Sequence, residues 1–228
     1  VRVGFNPGND WRAGSLRATR QGAAFRLEAP RPEFAGQYRI HLLGRHQARN
    51  ALFAIALGAE LGLSRDEVER GLAECKPAKM RLQLSELNGV CILNDAYNAN
   101  PDSMLAALQT FQQLPCKGRR VAVLGDMAEL GSHSLAAHEE LGRQAAELGI
   151  GQLFAIGKMA PVVAQAARRA GLSRVLEFGD VEAAAAAVKS FMRSGDALLL
   201  KASRATGLER VTQLLQDAPG KSPAKALS

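Results

Sequence analysis

The sequence predicts an α/β fold in which a mostly parallel β-sheet is flanked by helices. From about residue 82 onward, short apolar runs alternate with amphipathic segments of about 10–15 residues, which is typical of βαβ units. The chain has 228 residues and 47% hydrophobic content, enough for one large or two small domains. Polar side chains follow several of the apolar runs, at the strand ends where open α/β sheets bind ligands.

Residues 1–43 are predicted to be rich in β-structure. Two strand-like runs flank a Gln21-Gly22 turn and predict a hairpin, and an alternating run at 38–43 ends at Gly44. A helix follows from His46 to Gly62. Its sequence is apolar almost all round, so we expect it to be buried.

A second helix and a break follow. Ser64 and Glu67 have the spacing of a capping box at the start of the second helix. Lys76-Pro77-Ala78-Lys79 interrupts helical structure and indicates an interdomain linker.

Five strands and five helices are predicted beyond this linker. The strands are Val90–Leu93, Arg120–Leu124, Gln152–Ile156, Val175–Phe178 and Ala197–Leu200. The helices lie near 101–114, 134–148, 159–170, 181–193 and 206–216. Residues 219–228 are low in apolar content and are predicted to be disordered.

Composition excludes several classes of protein. No apolar run reaches the roughly 18 residues that a membrane span needs. The three cysteines are far apart and form no Cys-x-x-Cys pair, so we predict reduced thiols in a cytoplasmic protein and no metal site. The chain begins at Val1, without an initiator methionine or a signal peptide, so we expect a piece of a longer protein.

The net charge of +7 does not indicate nucleic-acid binding. Residues 1–50 carry nine arginines against three acidic residues, so most of the excess is in this segment. These arginines are not interleaved with aromatic residues that would stack on bases. We therefore expect no nucleic-acid partner.

The turn at 94–104 carries more polar groups than a helix start requires. Asn100 can cap the following helix, Pro101 suits its first position, and Asp102 suits the positive end of its dipole. Capping leaves Asp95, Tyr97 and Asn98 free for a ligand. A carboxylate at the position of Asp95 suits ribose hydroxyls, although an Asx-turn explains it equally well.

Other polar groups also stand at element ends. Gln47 and Asn50 share a helix face and can read an adenine edge or cap the helix. Arg81 can reach a phosphate, although a solvated linker arginine is the simpler interpretation. His138 is interpreted as a core or surface histidine.

Two more loops are candidate binding sites. The loop 125–131 contains Asp126 and Glu129, which can hold an ammonium group. Lys201, Ser203 and Arg204 follow the last strand and can bind a carboxylate or phosphate, or form a basic surface loop. Loops near 95, 126, 157 and 201 are all predicted at one edge of the sheet.

The sequence contains neither G-x-x-x-x-G-K-[ST] nor G-x-G-x-x-G, so a main phosphate loop for ATP would lie elsewhere.

Five motifs together resemble the carboxyl-terminal half of the Mur ligases, specifically of the members that add D-alanyl-D-alanine. They are Gly-Arg-His-x-x-x-Asn-Ala-Leu at 44–52, Arg-Leu at 81–82, Asp-x-Tyr-Asn-Ala-Asn-Pro-x-Ser-Met at 95–104, Gly-Asp-Met-Ala-Glu-Leu-Gly at 125–131 and Lys-x-Ser-Arg at 201–204. The resemblance covers residues 1 to about 216.

The resemblance implies a domain division and a reaction. Residues 1–79 correspond to the trailing part of a central ATP-binding domain, and 80–218 to a Rossmann-like carboxyl-terminal domain. The implied activity is ATP- and Mg²⁺-dependent ligation of D-Ala-D-Ala to UDP-MurNAc-tripeptide through an acyl phosphate, in peptidoglycan synthesis. It also implies a monomer, Mg²⁺ ligands upstream of Val1, and no activity for this chain alone.

The resemblance also implies roles for individual residues. His46 and Asn50 match the adenine-reading motif, Arg81 matches a catalytic arginine on ATP phosphate, and Asp95 matches the ribose carboxylate. The residues implied for the dipeptide are Tyr97, Asn98, Asn100, Asp126, Lys201, Ser203 and Arg204.

Two residues depart from the family pattern, and two other functions stay open. Gln47 stands where many relatives have asparagine, and Met80 stands where glycine is common, which predicts a stiffer hinge. One alternative is a Mur-type ligase for another amino acid, such as lysine or diaminopimelate. The other is a non-catalytic nucleotide-binding module.

Overall fold

A computed structural model describes residues 1–216 and 225–226 of the chain. These residues form two compact units, the first over Val1–Pro77 and the second starting at Ala78. Lys225 and Ala226 form a short strand, contrary to the predicted disorder of 219–228, and the other residues of that segment lie outside the described part of the chain.

The first unit is a four-stranded sheet covered by two helices. The strands, paired in sequence order, are β1 Val3–Gly4, β2 Trp11–Thr19, β3 Gly22–Glu28 and β4 Gly36–Ile40, and the helices are α1 Arg45–Glu60 and α2 Arg65–Glu74. Thr19 pairs with Gly22, so the predicted hairpin is confirmed but its turn lies one residue earlier, at Arg20-Gln21. Ser64 and Glu67 form the predicted capping box of α2.

Helix α1 is buried on one face only. Leu52, Ile55 and Ala59 pack into the core with Phe25 and Tyr38 of the sheet. Phe53 and Leu57, on the opposite face, are more than half exposed. The prediction of an all-round buried helix is therefore wrong for the described residues. Apolar composition gave the wrong answer because the sheet covers only one face of α1.

The second unit contains a mostly parallel seven-stranded sheet. Its strands are β5 Gln83–Leu87, β6 Val90–Asn94, β7 Arg120–Gly125, β8 Gln152–Ile156, β9 Val175–Phe178, β10 Ala197–Lys201 and β11 Lys225–Ala226. Their order in the sheet is β11-β5-β6-β10-β7-β8-β9. All five predicted strands are present, and β6, β10, β7, β8 and β9 run parallel, which confirms the predicted fold class.

Strand β5 was not predicted. It pairs antiparallel with β6 through a two-residue turn at Asn88-Gly89, and both turn residues have positive φ, at 53° and 77°. Asn-Gly is the preferred sequence for such a turn. The signal was therefore present in the sequence, between two short runs.

Five helices connect and cover this sheet. They are α3 Pro101–Gln113, α4 Ser134–Glu147, α5 Ala160–Arg169, α6 Val181–Phe191 and α7 Glu209–Gln216. Helices α6 and α7 pack with Ile92, Val121 and Leu198 in one core cluster. Alternate strand residues such as Ala122 and Leu199 are buried as well, so both sheet faces are covered. Among the described residues, no helix is long and apolar enough to span a membrane.

Candidate functional site

The carboxyl ends of four adjacent parallel strands meet at one edge of the second unit. Strands β6, β10, β7 and β8 are neighbours in the sheet, and the chain leaves them at Asp95, Ala202, Asp126 and Gly157. The prediction that these loops share an edge is confirmed. In a sheet of this kind the edge is the expected place for a ligand, particularly where the strand order reverses.

Asp95 and Lys201 form an ion pair at this edge. Lys201 Nζ lies 2.6 Å from Asp95 Oδ2, and also donates to the carbonyl oxygen of Asn98 at 3.0 Å. The Lys201 side chain is 1% exposed and that of Asp95 is 15% exposed. The predicted binding of a carboxylate or phosphate by Lys201 competes with these contacts, because its buried ammonium is held by protein oxygens.

The surroundings of Lys201 shift its protonation equilibrium. Burial lowers the pKa of Lys201 below its ordinary value of 10.5, and the positive charge of Arg81 acts in the same direction. The ion pair with Asp95 opposes both effects. Through its contacts with Asp95 and Asn98, Lys201 joins strand β10 to the loop after β6.

The Asp95 carboxylate is not free, contrary to the prediction. Its Oδ1 accepts the Leu82 N–H at 2.9 Å, while Oδ2 faces Lys201. A carboxylate has about four lone-pair positions, so these two partners leave acceptor capacity for a ligand hydroxyl. Asp95 therefore ties strand β10 to the turn before β5 and keeps an acceptor position.

Arg81 lies between two buried residues with unusual backbone conformations. Met80 and Leu82 have φ values of 60° and 46°, in the left-handed region that non-glycine residues rarely adopt. Both side chains are buried, whereas Arg81 is exposed. The turn therefore anchors the residues on either side and directs the arginine outward.

Tyr97 contacts Arg81 directly. The Arg81 guanidinium carbon lies 4.2 Å from the centroid of the Tyr97 ring, which is cation–π geometry. The Tyr97 N–H donates to the Met80 carbonyl oxygen at 3.1 Å. Tyr97 remains 46% exposed, so it still presents surface at the edge.

Asn98 and Asn100 serve the local backbone. Asn98 Oδ1 accepts the Ala99 N–H at 2.9 Å. This oxygen was predicted to be free for a ligand, but it bonds to the backbone. Asn100 Oδ1 accepts the Ser103 N–H at 2.8 Å, and Ser103 Oγ accepts the Asn100 N–H at 3.0 Å. The predicted cap of α3 is confirmed.

Asp126 binds the neighbouring loop. Its carboxylate accepts the N–H groups of Lys158 and Met159 at 2.9 and 3.0 Å. A side chain at Gly157, whose φ is 108°, would come within 2.6 Å of this carboxylate. Asp126 thus holds the loop before α5, and the predicted use of this carboxylate for an ammonium group competes with those two hydrogen bonds.

The loop after β10 contains one buried and one exposed candidate. Ser203 is buried, and its N–H donates to the Asp126 carbonyl oxygen at 2.9 Å. Arg204 is exposed and pairs with Glu209 at 2.8 Å. His138 lies in the core, where its Nε2 accepts the Met127 N–H at 3.0 Å.

The adenine-reading candidates lie in the first unit. Asn50 is exposed, and its Nδ2 donates to Gln47 Oε1 at 3.2 Å, so the two amides share a helix face as predicted. His46 is partly buried in the first turn of α1. Among the described residues, no group of three or more His, Cys, Asp or Glu side chains is arranged to hold a metal ion.

The fold defines a class: an α/β domain with a mostly parallel sheet, preceded in the chain by a smaller unit of one sheet and two helices. The family described as Mur ligase, glutamate ligase domain, matches residues 80–204. The chain belongs to the Mur ligase family.

One relative and two solved structures illustrate the match. The chain is 34% identical over 213 residues to the UDP-N-acetylmuramoyl-tripeptide–D-alanyl-D-alanine ligase of Bacillus subtilis. The matched region covers 92% of this chain and 46% of the relative. The crystal structure of MurF from Acinetobacter baumannii has a TM-score of 0.81 and 30% identity, over 93% of this chain and 46% of that one. MurF from Thermotoga maritima, in complex with ADP, shares the fold with a TM-score of 0.75 and 24% identity over 93% and 47%. The chain spans about half the length of the curated relatives that it matches.

Proposed function

We propose that the full-length protein is an ATP-dependent ligase that joins D-Ala-D-Ala to UDP-MurNAc-tripeptide. The relatives that match across most of this chain carry that activity in their names. The structural observation that supports the proposal is the exposed Arg81, held between two buried residues and beside Asp95 at the carboxyl edge of the sheet. That arrangement suits a nucleotide, with an arginine for phosphate and a carboxylate for ribose.

The proposed reaction has two steps. A terminal carboxylate oxygen of the tripeptide attacks the γ-phosphorus of ATP, ADP leaves, and an acyl phosphate forms. The amine of D-Ala-D-Ala then attacks the acyl carbon, loses a proton, and displaces inorganic phosphate as the amide bond forms. Both steps move negative charge among phosphoryl oxygens, which fixed cations stabilise.

The residues of this chain have distinct proposed roles in that reaction. Arg81 contacts a phosphate oxygen of ATP, Asp95 accepts a ribose hydroxyl, and Asn50 with His46 reads the adenine. Bound Mg²⁺ would supply further charge neutralisation; its proposed ligands lie outside this chain.

The accessible dipeptide candidates are fewer than the sequence indicated. Tyr97 and Arg204 are exposed at the edge, and Arg204 offers a forked guanidinium to the dipeptide carboxylate. The proposed contribution of Asn98, Asn100, Asp126, Lys201 and Ser203 is to shape the loops. Lys201 and Ser203 are buried, and side-chain oxygens of the other three accept backbone N–H groups. We further propose a cytoplasmic monomer.

A substrate panel tests the proposed function. Phosphate release by the full-length protein is measured with ATP, UDP-MurNAc-tripeptide and one acceptor amine at a time. We expect release with D-Ala-D-Ala at least tenfold faster than with D-Ala, lysine or diaminopimelate. Faster release with a single amino acid would assign the protein to another Mur-type ligase, and no release with any acceptor would favour a non-catalytic nucleotide-binding module.

A further inference from the structure

The exposed Arg81 guanidinium needs a support that the backbone alone does not provide. The turn fixes the Cα of Arg81 through hydrogen bonds on both sides, from Leu82 N–H to Asp95 and from Tyr97 N–H to the Met80 carbonyl. The long side chain beyond that Cα keeps several rotatable bonds. A group that restricts them favours one orientation of the guanidinium before a ligand arrives.

Tyr97 is placed to provide that restriction. Its ring lies 4.2 Å from the Arg81 guanidinium carbon, and its own backbone is bonded to the residue before Arg81. Ring and guanidinium are therefore attached to the same local framework. Stacking of arginine on an aromatic face leaves the N–H groups at the edge of the guanidinium available for hydrogen bonds.

We propose that Tyr97 is a positioning residue for Arg81, which orients the guanidinium toward the phosphate of the bound nucleotide. This inference rests on the proposed function, in which Arg81 contacts that phosphate. It differs from the role implied by sequence, in which Tyr97 contacts the dipeptide. An exposed cation–π contact is worth about a two- to fivefold change in the population of the oriented side chain.

Nuclear magnetic resonance tests the stack without any catalytic readout. In the 228-residue chain, the Arg81 side-chain protons should show upfield shifts from the Tyr97 ring current. Tyr97→Phe keeps the ring and should keep the shifts, whereas Tyr97→Leu should lose them. Arg81 shifts that do not respond to Tyr97→Leu would overturn the stacking.

A double-mutant cycle in the full-length protein tests the role. Tyr97→Leu should lower the rate of phosphate release about two- to fivefold at saturating dipeptide, and Tyr97→Phe should stay near the unmodified rate. Arg81→Ala should lower the rate further. The double variant should be no slower than Arg81→Ala alone, because Tyr97 acts through Arg81.

The remaining outcomes separate the two proposals. Independent losses that multiply in the double variant, or an effect of Tyr97→Leu confined to the KM of the dipeptide, would overturn the positioning role and leave the ligase function intact. An Arg81→Ala protein with unchanged kinetics would overturn the proposed contact of Arg81 with phosphate, and the positioning role with it.

Discussion

Two aspartates at opposite ends of the parallel strands show how single residues acquire different functions. Asp196 precedes β10 at the amino end of the sheet and is 3% exposed, paired with Arg119 at 2.6 Å. Its carboxylate also accepts the N–H groups of Arg119 and Arg193, both at 2.9 Å. Asp95, at the carboxyl end, has fewer partners and keeps acceptor capacity. The first therefore serves stability, and the second suits a ligand.

Asp196 should make stability depend on pH in the acid range. Burial raises the pKa of Asp196, but the hydrogen bonds from Arg119 and Arg193 outweigh it, so the pKa lies below its ordinary value of 3.8. The stabilisation is therefore present above about pH 3.8 and is lost as pH falls through the lower native pKa. We expect Asp196→Asn to lose about 2 kcal/mol of unfolding free energy at neutral pH.

Urea denaturation from pH 7 to pH 2.5 measures that dependence. The difference between the unmodified protein and Asp196→Asn should shrink at the acid end. Asp102→Asn is the matched control, because it makes the same charge change at an exposed first-turn position of α3. A difference between Asp196→Asn and the unmodified protein that stays constant across the range would contradict this explanation.

At the scale of elements, sequence patterns predicted the strands and helices better than the partners of polar side chains. Short apolar runs alternating with helical segments were enough to predict the five parallel strands, and the residue types at Asn100, Pro101 and Asp102 predicted the cap of α3. Strand β5 was missed although Asn88-Gly89 marks its hairpin. The bonds of Asp95 to Lys201 and Leu82 join residues far apart in sequence, and no local pattern reports them.

The β5–β6 hairpin should depend on its glycine for two separate reasons. Gly89 has a φ of 77°, and a Cβ there would lie 2.3 Å from Ser194 Oγ. Gly149 has a φ of 76° with nothing within 4 Å of the same position, so it isolates the backbone effect. Gly149→Ala should cost about 1 kcal/mol, and Gly89→Ala about 2–3 kcal/mol because crowding adds to it.

Urea denaturation of the two glycine variants separates these contributions. The loss of unfolding free energy should be larger for Gly89→Ala than for Gly149→Ala. Equal losses would mean that Ser194 moves aside at no cost and that the close approach does not constrain this hairpin.

At the scale of the whole molecule, the motifs recognised in the sequence occur in both compact units. His46 and Asn50 belong to the first unit, whereas Arg81 and Asp95 belong to the second. The motifs predicted the family and the common sheet edge. They did not predict that Lys201 is buried or that Tyr97 stacks on Arg81, because burial and stacking depend on segments that the fold brings together.

The most direct test of the account is a calorimetric titration of the full-length protein with a non-hydrolysable ATP analogue. Asp95→Asn can still accept the Leu82 N–H, but it loses the charged acceptor for the ribose and the ion pair with the buried Lys201. We expect it to bind the analogue about tenfold more weakly, the value of one hydrogen bond to a charged group. Asp102→Asn should bind as the unmodified protein does, and thermal melts should show that both variants are folded. Equal affinity of Asp95→Asn and the unmodified protein would contradict the placement of the nucleotide at this edge.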